Sequence, residues 1–205
     1  MSKKVLVLDY KTGNVDSVIK AIQLLGHDVI FSSNKNDLNK AHKIILPGQG
    51  SYDYAMNQLK NLEIVDALTK KIENENIFVL GICLGMQILS SMGFENKYTK
   101  GLDLIKGSVK KIKEKPNKLP HLGWNTVSFL NSNEKLFKEI PNKSDFYFIH
   151  SFYFSCDSSA NIIATSHYNQ DFPVIIKKGS IYGMQFHPEK SLKNGIKLIQ
   201  NFLNL

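Results

Sequence analysis

A cysteine set between two glycines is the feature of the sequence best suited to covalent chemistry. The segment Gly81-Ile82-Cys83-Leu84-Gly85 follows an apolar run and precedes a helical pattern. Flanking glycines permit the tight turn between strand and helix that lifts a nucleophile clear of a sheet. At the start of a helix, peptide dipoles favour the thiolate, which is the attacking form of cysteine. We therefore predict that Cys83 is a nucleophile, because a buried structural cysteine requires no such glycines.

A histidine followed by a carboxylate supplies the second part of a catalytic site. It lies in the segment Gln185-Phe186-His187-Pro188-Glu189. In extended chain, residues two apart point to the same side, so Glu189 can hold one ring nitrogen of His187 while the other faces the cysteine sulfur. Pro188 should keep this segment out of a helix. Most single histidines are ordinary surface or core residues, but the carboxylate two residues on favours a general base at His187.

A glycine-rich loop is the third part of the predicted site. Pro47-Gly48-Gln49-Gly50 follows the apolar run at residues 43–46. A strand that ends in two glycines gives a loop whose backbone can approach a ligand closely and turn an N–H group toward a developing oxyanion. Pro-Gly pairs also mark ordinary turns. The interpretation of this loop therefore depends on its occurrence together with Cys83 and His187.

The elements that must position these groups follow from the hydrophobic pattern. Up to Gly93, short apolar runs alternate with helical patterns, which is typical of a parallel sheet with crossover helices. Beyond Gly93 the strands lie close together in sequence and favour antiparallel pairing. We therefore predict an α/β fold with a mostly parallel central sheet flanked by helices, an antiparallel extension in the C-terminal half, and a single domain over residues 1–205. The predicted strands are 5–9, 28–32, 43–46, 77–81, 108–112, 124–130, 145–155, 162–167, 174–177 and 181–186, and the predicted helices are 14–25, 52–60, 63–75, 84–92 and 192–203.

Charge and composition argue against several classes of function. The net charge of +8 comes from lysine alone, since the chain has no arginine. The lysines are scattered apart from a cluster over residues 106–118, and no groove-reading motif accompanies them, so we predict no nucleic-acid binding. That cluster could instead meet an acidic partner surface or an anionic substrate. The apolar runs are too short to cross a bilayer, and Cys83 and Cys156 suggest neither a disulfide framework nor a metal site. We expect a cytoplasmic protein that has no membrane association, no metal and no cofactor.

Three ordered motifs resemble those of a known family. Pro47-Gly48-Gln49-Gly50, Gly81 to Gln87 and Gln185 to Ser191 are similar to the motifs of the class I (triad) glutamine amidotransferases, which have a flavodoxin-like α/β fold. Further segments resemble one branch of that family, the glutaminase subunits of imidazole glycerol phosphate synthases. These segments are residues 9–10, 13–14, 120–125 and 147–153. The resemblance covers essentially the whole chain.

The resemblance implies a reaction and a set of binding residues. Cys83 would attack the side-chain amide of glutamine, His187 would shuttle the proton, and Glu189 would orient the histidine. The products would be a glutamyl thioester and ammonia, and water would then release glutamate. The family's oxyanion loop corresponds to Gly48, Gln49 and Gly50, and its glutamine-binding residues correspond to Gln87, His150 and Ser151.

The resemblance also implies a partner. In this branch the glutaminase forms a heterodimer with a (β/α)8-barrel cyclase, which uses the ammonia to make imidazole glycerol phosphate and a carboxamide nucleotide in histidine biosynthesis. A sealed route keeps ammonia from being protonated in water, and ammonium is no nucleophile. For Trp124, ordinary core packing is an equal alternative to a place in the interface. The residues expected at the partner interface are Asn14, Trp124, Asn125 and Lys190.

Two departures from the family pattern keep alternatives open. Gln49 stands where the family usually has a small apolar residue, and Lys106 stands where a proline or another residue is common. A paralogue that feeds ammonia to another synthase, for example one that amidinates a surface sugar, is compatible with both. A stand-alone hydrolase would leave the segment 121–125 unexplained. A non-catalytic scaffold subunit would have no use for a strained elbow at Cys83.

Overall fold

The computed structural model describes residues 4–13 and 15–205, and these form a mixed α/β structure. Asn14, expected at the partner interface, lies outside the described residues. The strands are β1 (Val5–Leu8), β2 (Val29–Ser32), β3 (Lys43–Leu46), β4 (Phe78–Ile82), β5 (Met92–Gly93), β6 (Thr99–Lys100), β7 (Gly107–Lys111), β8 (His121–Phe129), β9 (Ser144–His150), β10 (Phe152–Cys156), β11 (Ile162–His167), β12 (Asp171–Lys178) and β13 (Ile181–Met184). The helices are α1 (Asp16–Leu24), α2 (Lys35–Lys40), α3 (Tyr52–Asn61), α4 (Val65–Glu75), α5 (Leu84–Gln87) and α6 (Leu192–Leu203), with short 3-10 turns at Lys135–Phe137, Ser159–Asn161 and Pro188–Lys190.

The large sheet has nine strands within the described residues, in the order β2-β1-β3-β4-β13-β12-β11-β8-β9. From β2 to β13 every neighbouring pair is parallel. From β13 to β9 every neighbouring pair is antiparallel. The predicted fold class, a parallel sheet with an antiparallel extension from the C-terminal half, is therefore confirmed.

Both faces of the parallel half are covered, which explains its apolar strands. In β1, Val5 and Val7 belong to one hydrophobic core and Leu6 and Leu8 to the other, and none of the four is more than 1% exposed. Alternate side chains of a strand point to opposite faces, so helices on both sides must supply the two cores. Among the helices of residues 4–13 and 15–205, none combines the length and apolar character needed to span a bilayer.

The helix predicted over residues 84–92 is wrong in its length, since α5 ends at Gln87. Beyond that point the carbonyls of Ile88 and Leu89 accept hydrogen bonds from the backbone N–H groups of Leu102 and Leu104. A carbonyl bonded to a distant loop no longer supports the next helical turn. Helix α2 was not predicted, although Asn34 caps it by accepting from the N–H of Asn36.

The single strand predicted over residues 145–155 is also wrong, because the chain changes sheets at Ser151. Strand β9 remains in the large sheet beside β8, whereas β10 pairs with β7 in a second sheet of order β10-β7-β5-β6. Both strands are rich in aromatic residues with high strand propensity, so the local pattern contains no sign of the change in partner. The break places Ser151 and its neighbours beside the end of β4.

Candidate active site

Cys83 occupies a strained turn between β4 and α5. Its backbone has φ 53° and ψ −108°, a region that residues with a side chain rarely adopt. The turn is held by a 2.7 Å hydrogen bond from the Cys83 N–H to the carbonyl of Met184, the last residue of β13. The side chain is 6% exposed and its sulfur lies 3.9 Å from the carbonyl oxygen of Ile149. The sequence-predicted elbow is therefore present at the carboxyl end of the parallel strands.

The glycines on either side of Cys83 are required by close backbone contacts. A Cβ atom at Gly85 would overlap the carbonyl oxygen of Leu46 and lie 2.7 Å from its carbonyl carbon. A Cβ atom at Gly81 would lie 2.6 Å from the carbonyl carbon of Gly85. Real Cβ atoms do not approach so closely, so the elbow can be stacked on the end of β3 only with glycine at both positions.

His187 and Glu189 are in contact, as predicted, but the backbone between them has a different conformation from the one expected. The Nδ1 atom of His187 lies 2.8 Å from Oε1 of Glu189, and the two side chains are 3% and 2% exposed. Pro188 begins a 3-10 turn over Pro188–Lys190, so the prediction of an extended segment is wrong. Proline is well tolerated in the first turn of a helix because its missing N–H is not needed there. The turn brings the carboxylate back to the ring.

Electrostatics favour a charged ring at His187. Burial by itself would lower its pKa, but Cys83 and Glu189 outweigh that effect and raise the pKa to about 9 from 6.5. A raised pKa stabilises the fold below pH 6.5, and this contribution is lost as the pH rises through about 9. Within the described residues, Nε2 of His187 and Oε2 of Glu189 are buried and have no partner with hydrogen-bond geometry. A buried polar atom without a partner often indicates the place of a ligand atom.

Replacing Glu189 by glutamine should lower the pKa of His187 by at least about one unit, because the change removes a buried negative charge beside the ring. A proton NMR titration of the ring would measure the shift. Asp171→Asn is the matched control, since it removes a carboxylate 2.7 Å from the exposed ring of His167. An unchanged His187 titration in Glu189→Gln would contradict the role assigned to this carboxylate.

A cavity of about 270 Å³ opens beside Cys83. It is lined by six of the residues that the sequence predicted for the site, whereas Gly48, His187 and Glu189 are not part of its lining. The predicted residues in the lining are Gln49, Gly50, Cys83, Gln87, His150 and Ser151, and the others are Leu84, Glu95, Ile149 and Phe152.

Glu95 was missed by the sequence analysis and is the acidic side chain among the lining residues. It is half-buried, its Oε2 accepts a 2.8 Å hydrogen bond from the N–H of Tyr52, and burial raises its pKa above the ordinary range. No local motif marks it. Its position depends on the small second sheet, which carries the turn after β5 to the mouth of the cavity.

The loop after β3 is held in place by contacts with the segment that follows β1. A Cβ atom at Gly48 would lie 2.8 Å from the hydroxyl of Tyr10 and 3.0 Å from Oγ1 of Thr12. The Tyr10 hydroxyl donates to the carbonyl of Pro47, and Gly50 has φ +121°, which favours glycine. Gln49 and Gly50 therefore face the cavity while Gly48 is buried against the segment after β1.

His150, the histidine that lines the cavity, has a fixed tautomer. Its Nδ1 lies 2.8 Å from the carbonyl oxygen of Phe152 and must donate to it, since a carbonyl only accepts. Its Nε2 must then accept from Nδ1 of His121 at 3.0 Å, and Nε2 of His121 accepts from the Asn125 amide at 3.1 Å. Burial lowers the pKa of His150 to about 3 and that of His121 to about 4. Rings with such low pKa values accept protons too weakly to act as bases near neutral pH, so His187 is the better candidate for moving the proton.

An exposed apolar patch borders the cavity on strands β8 and β9. Leu122 and Trp124 are 59% and 50% exposed, and they pair across the two strands with Ile149 and Tyr147 respectively. The rings of Trp124 and Tyr147 meet edge to face with centroids 6.0 Å apart. Trp124 is thus not a core residue, and Ile149 belongs both to the patch and to the cavity wall. We call Leu122, Trp124, Tyr147 and Ile149 the apolar patch.

The fold matches that of solved glutamine amidotransferases. A glutamine amidotransferase from Thermotoga maritima superimposes with a TM-score of 0.69 at 19% identity, over 100% of this chain and 84% of that one. The likeness defines the class of fold.

Sequence comparison defines the family. The model of the family described as glutamine amidotransferase class-I matches residues 6–205. A protein from Campylobacter jejuni named imidazole glycerol phosphate synthase subunit HisH 1 is 42% identical over 98% of this chain and 100% of its own length. The subunit named HisH 2 from Methanococcus maripaludis is 42% identical over 97% of this chain and 98% of its own. The chain belongs to the class I glutamine amidotransferases.

Proposed function

We propose that this chain is the glutaminase subunit of an imidazole glycerol phosphate synthase. The observation that carries the chemistry is the strained turn that presents Cys83 to a cavity. The buried pair of His187 and Glu189 accompanies it, and the ring of His187 interacts with Cys83. The pathway is supported by near full-length similarity to proteins that are themselves named as subunits of this synthase. The chain acts as one domain over residues 1–205.

The reaction follows from these groups. The Cys83 thiolate attacks the side-chain amide carbon of glutamine, and the carbonyl electrons move to an oxyanion that the loop at Gly48, Gln49 and Gly50 stabilises. The charged ring of His187 gives its proton to the leaving nitrogen, so the C–N bond breaks and ammonia departs. The neutral ring then takes a proton from water, which attacks the thioester and releases glutamate and the thiolate. Glu189 holds the ring in the required orientation.

The side chains of the cavity can pair with the polar groups of glutamine. The carboxylate of Glu95 matches the α-ammonium group of glutamine, and the Tyr52 N–H fixes that carboxylate in place. The amide nitrogen of Gln87 is committed to Phe152 and Gln185, so its oxygen is left to accept from a ligand. His150 and Ser151 contribute the backbone where the chain leaves one sheet for the other.

The partner is a (β/α)8-barrel cyclase that binds the apolar patch. Exposed apolar side chains that are contiguous and rimmed by polar groups mark interaction surfaces. Because Ile149 is shared by the patch and the cavity, a protein docked there would cover the mouth and receive ammonia without exposure to water. Asn125 and Lys190 are half-buried, and we assign both to the interface with the cyclase, in a complex that works in the cytoplasm.

Glutamate release by the purified chain, alone and with the cyclase subunit of the same organism plus its nucleotide substrate, tests the proposal. We expect low turnover alone and stimulation by roughly 10- to 100-fold, within the usual range of coupling between sites. If glutamate is released at the same rate with and without this cyclase, the chain belongs to another synthase. Absence of turnover under every condition would contradict the glutaminase itself.

Truncation of Trp124 should weaken the complex. We expect Trp124→Ala to raise the dissociation constant for the cyclase by roughly 30-fold, the effect of losing an interface hot spot of about 2 kcal/mol. Isothermal titration calorimetry would measure it. Leu130→Ala is the matched control, because Leu130 is 59% exposed but follows the far end of β8. Equal effects of the two substitutions would place the interface elsewhere.

A further inference from the structure

Gln185 is a buried amide in contact with the sulfur of Cys83. Its side chain is inaccessible to solvent, and its Nε2 lies 3.7 Å from the sulfur. Its Oε1 accepts a 3.1 Å hydrogen bond from Nε2 of Gln87. A polar side chain fully buried beside a reactive thiol needs a reason beyond packing, since an apolar residue would fill the same space without polar groups to satisfy.

The orientation of the Gln185 amide is fixed by its neighbours. The carbonyl of Phe152 only accepts, so the group of Gln87 that lies 2.9 Å from it must be the NH2 group. The same NH2 group contacts Gln185, which must therefore present its oxygen to Gln87 and its own NH2 group to the sulfur. The Phe152 carbonyl is held a second time by Nδ1 of His150. The hydrogen bonds from Gln87 to Phe152 and to Gln185 therefore fix which end of the Gln185 amide faces the sulfur, and that end is the NH2 group.

The direction matters for the charge state of Cys83. A neutral thiol can donate to the carbonyl oxygen of Ile149, which lies 3.9 Å away, whereas a thiolate would be repelled by that oxygen. An N–H donor at the sulfur has the opposite preference, because hydrogen bonds to an anion are stronger than those to the neutral form. The site therefore holds one group that favours the thiol, the Ile149 carbonyl, and two that favour the thiolate, the charged ring of His187 and the amide of Gln185.

We propose that Gln185 is a further catalytic residue, which donates an N–H to the Cys83 thiolate and is oriented for that task by Gln87 and the Phe152 carbonyl. The inference rests on the proposed role of Cys83 as nucleophile. Loss of the donor should reduce the fraction of thiolate at neutral pH. It should lower kcat for glutamine hydrolysis more than it raises KM, because the amide contacts the nucleophile and does not line the cavity.

The test is the rate of alkylation of Cys83 by iodoacetamide between pH 6 and 10, in full-length chains that carry Cys156→Ser so that one thiol remains. Gln185→Glu keeps the shape but places carboxylate oxygens at the sulfur, and Gln185→Met removes the donor without adding charge. For each, we expect the rate at pH 7, relative to the plateau at high pH, to fall by about 10-fold or more. Gln23→Glu, on the exposed side of α1, controls for the added charge.

Two variants keep the test decisive. If Gln185→Glu fails to fold by circular dichroism, Gln185→Met carries the same expectation. An unchanged alkylation profile in a folded variant would overturn the inference, even if the chain hydrolyses glutamine. A shifted profile in a chain that never hydrolyses glutamine would leave the inference standing and reject the proposed function, because alkylation does not depend on the substrate.

Discussion

The Cys83→Ala chain is expected to fold normally and to release glutamate from glutamine at least about 10⁴-fold more slowly than the unsubstituted chain. The sulfur is the atom that forms the thioester in the proposed reaction, and no oxyanion loop or histidine can replace that bond. The substitution removes a single buried sulfur and relieves strain at a φ of 53° only in part, so the fold should persist. Glutamate release in the complex with the cyclase measures the loss.

The same complex should still synthesise its product when ammonium salts are supplied, because added ammonia bypasses the glutaminase. Cys156→Ser is the matched control. Cys156 lies in β10, and burial raises its pKa to about 12, so this thiol remains protonated and unreactive. Loss of both the glutamine-dependent and the ammonia-dependent reactions in Cys83→Ala would mean that the assignment of the nucleophile is wrong.

The parts of the site that depend on local sequence could be predicted. The elbow at Cys83 is a short-range feature, since its glycines stand two residues away and the strand before it is continuously apolar. The contact between His187 and Glu189 spans two residues, and it formed even though the backbone adopted a 3-10 turn in place of an extended segment. Over such short separations, several backbone conformations bring the same atoms together.

The parts that depend on long-range pairing could not be predicted from the residue pattern. Ser151 was expected in the site only through the family resemblance, because it lies in the cavity where β9 and β10 pair with strands of different sheets, and propensity is nearly the same for a strand in either sheet. Glu95 reaches the cavity through the short strands β5 and β6, which contain only two residues each and have no detectable period. The orientation of the donor at the sulfur, Gln185, depends on a hydrogen bond from Gln87, which is 98 residues away along the chain and is itself bonded to the carbonyl of Phe152.

Gly85→Ala should destabilise the fold by more than about 3 kcal/mol, at the upper end of the effects of overpacking. The added methyl would overlap the carbonyl oxygen of Leu46, and neither partner is a flexible side chain that could move aside. Gly85 has no left-handed φ, so the penalty comes from the contact alone. Urea unfolding monitored by circular dichroism would measure the loss as a lower midpoint.

Gly179→Ala provides the matched control for that substitution. Gly179 has φ +59°, and a Cβ atom at this position would meet no other atom within 4 Å, so its replacement should cost only about 1 kcal/mol of backbone strain. A loss at Gly85 no larger than the loss at Gly179 would mean that the end of β3 moves away from the elbow at little cost. In that case the loop at Gly48, Gln49 and Gly50 would move with it, and Gly85→Ala should retain the fold yet lose glutamine hydrolysis, because the oxyanion loop and Cys83 would no longer be in register.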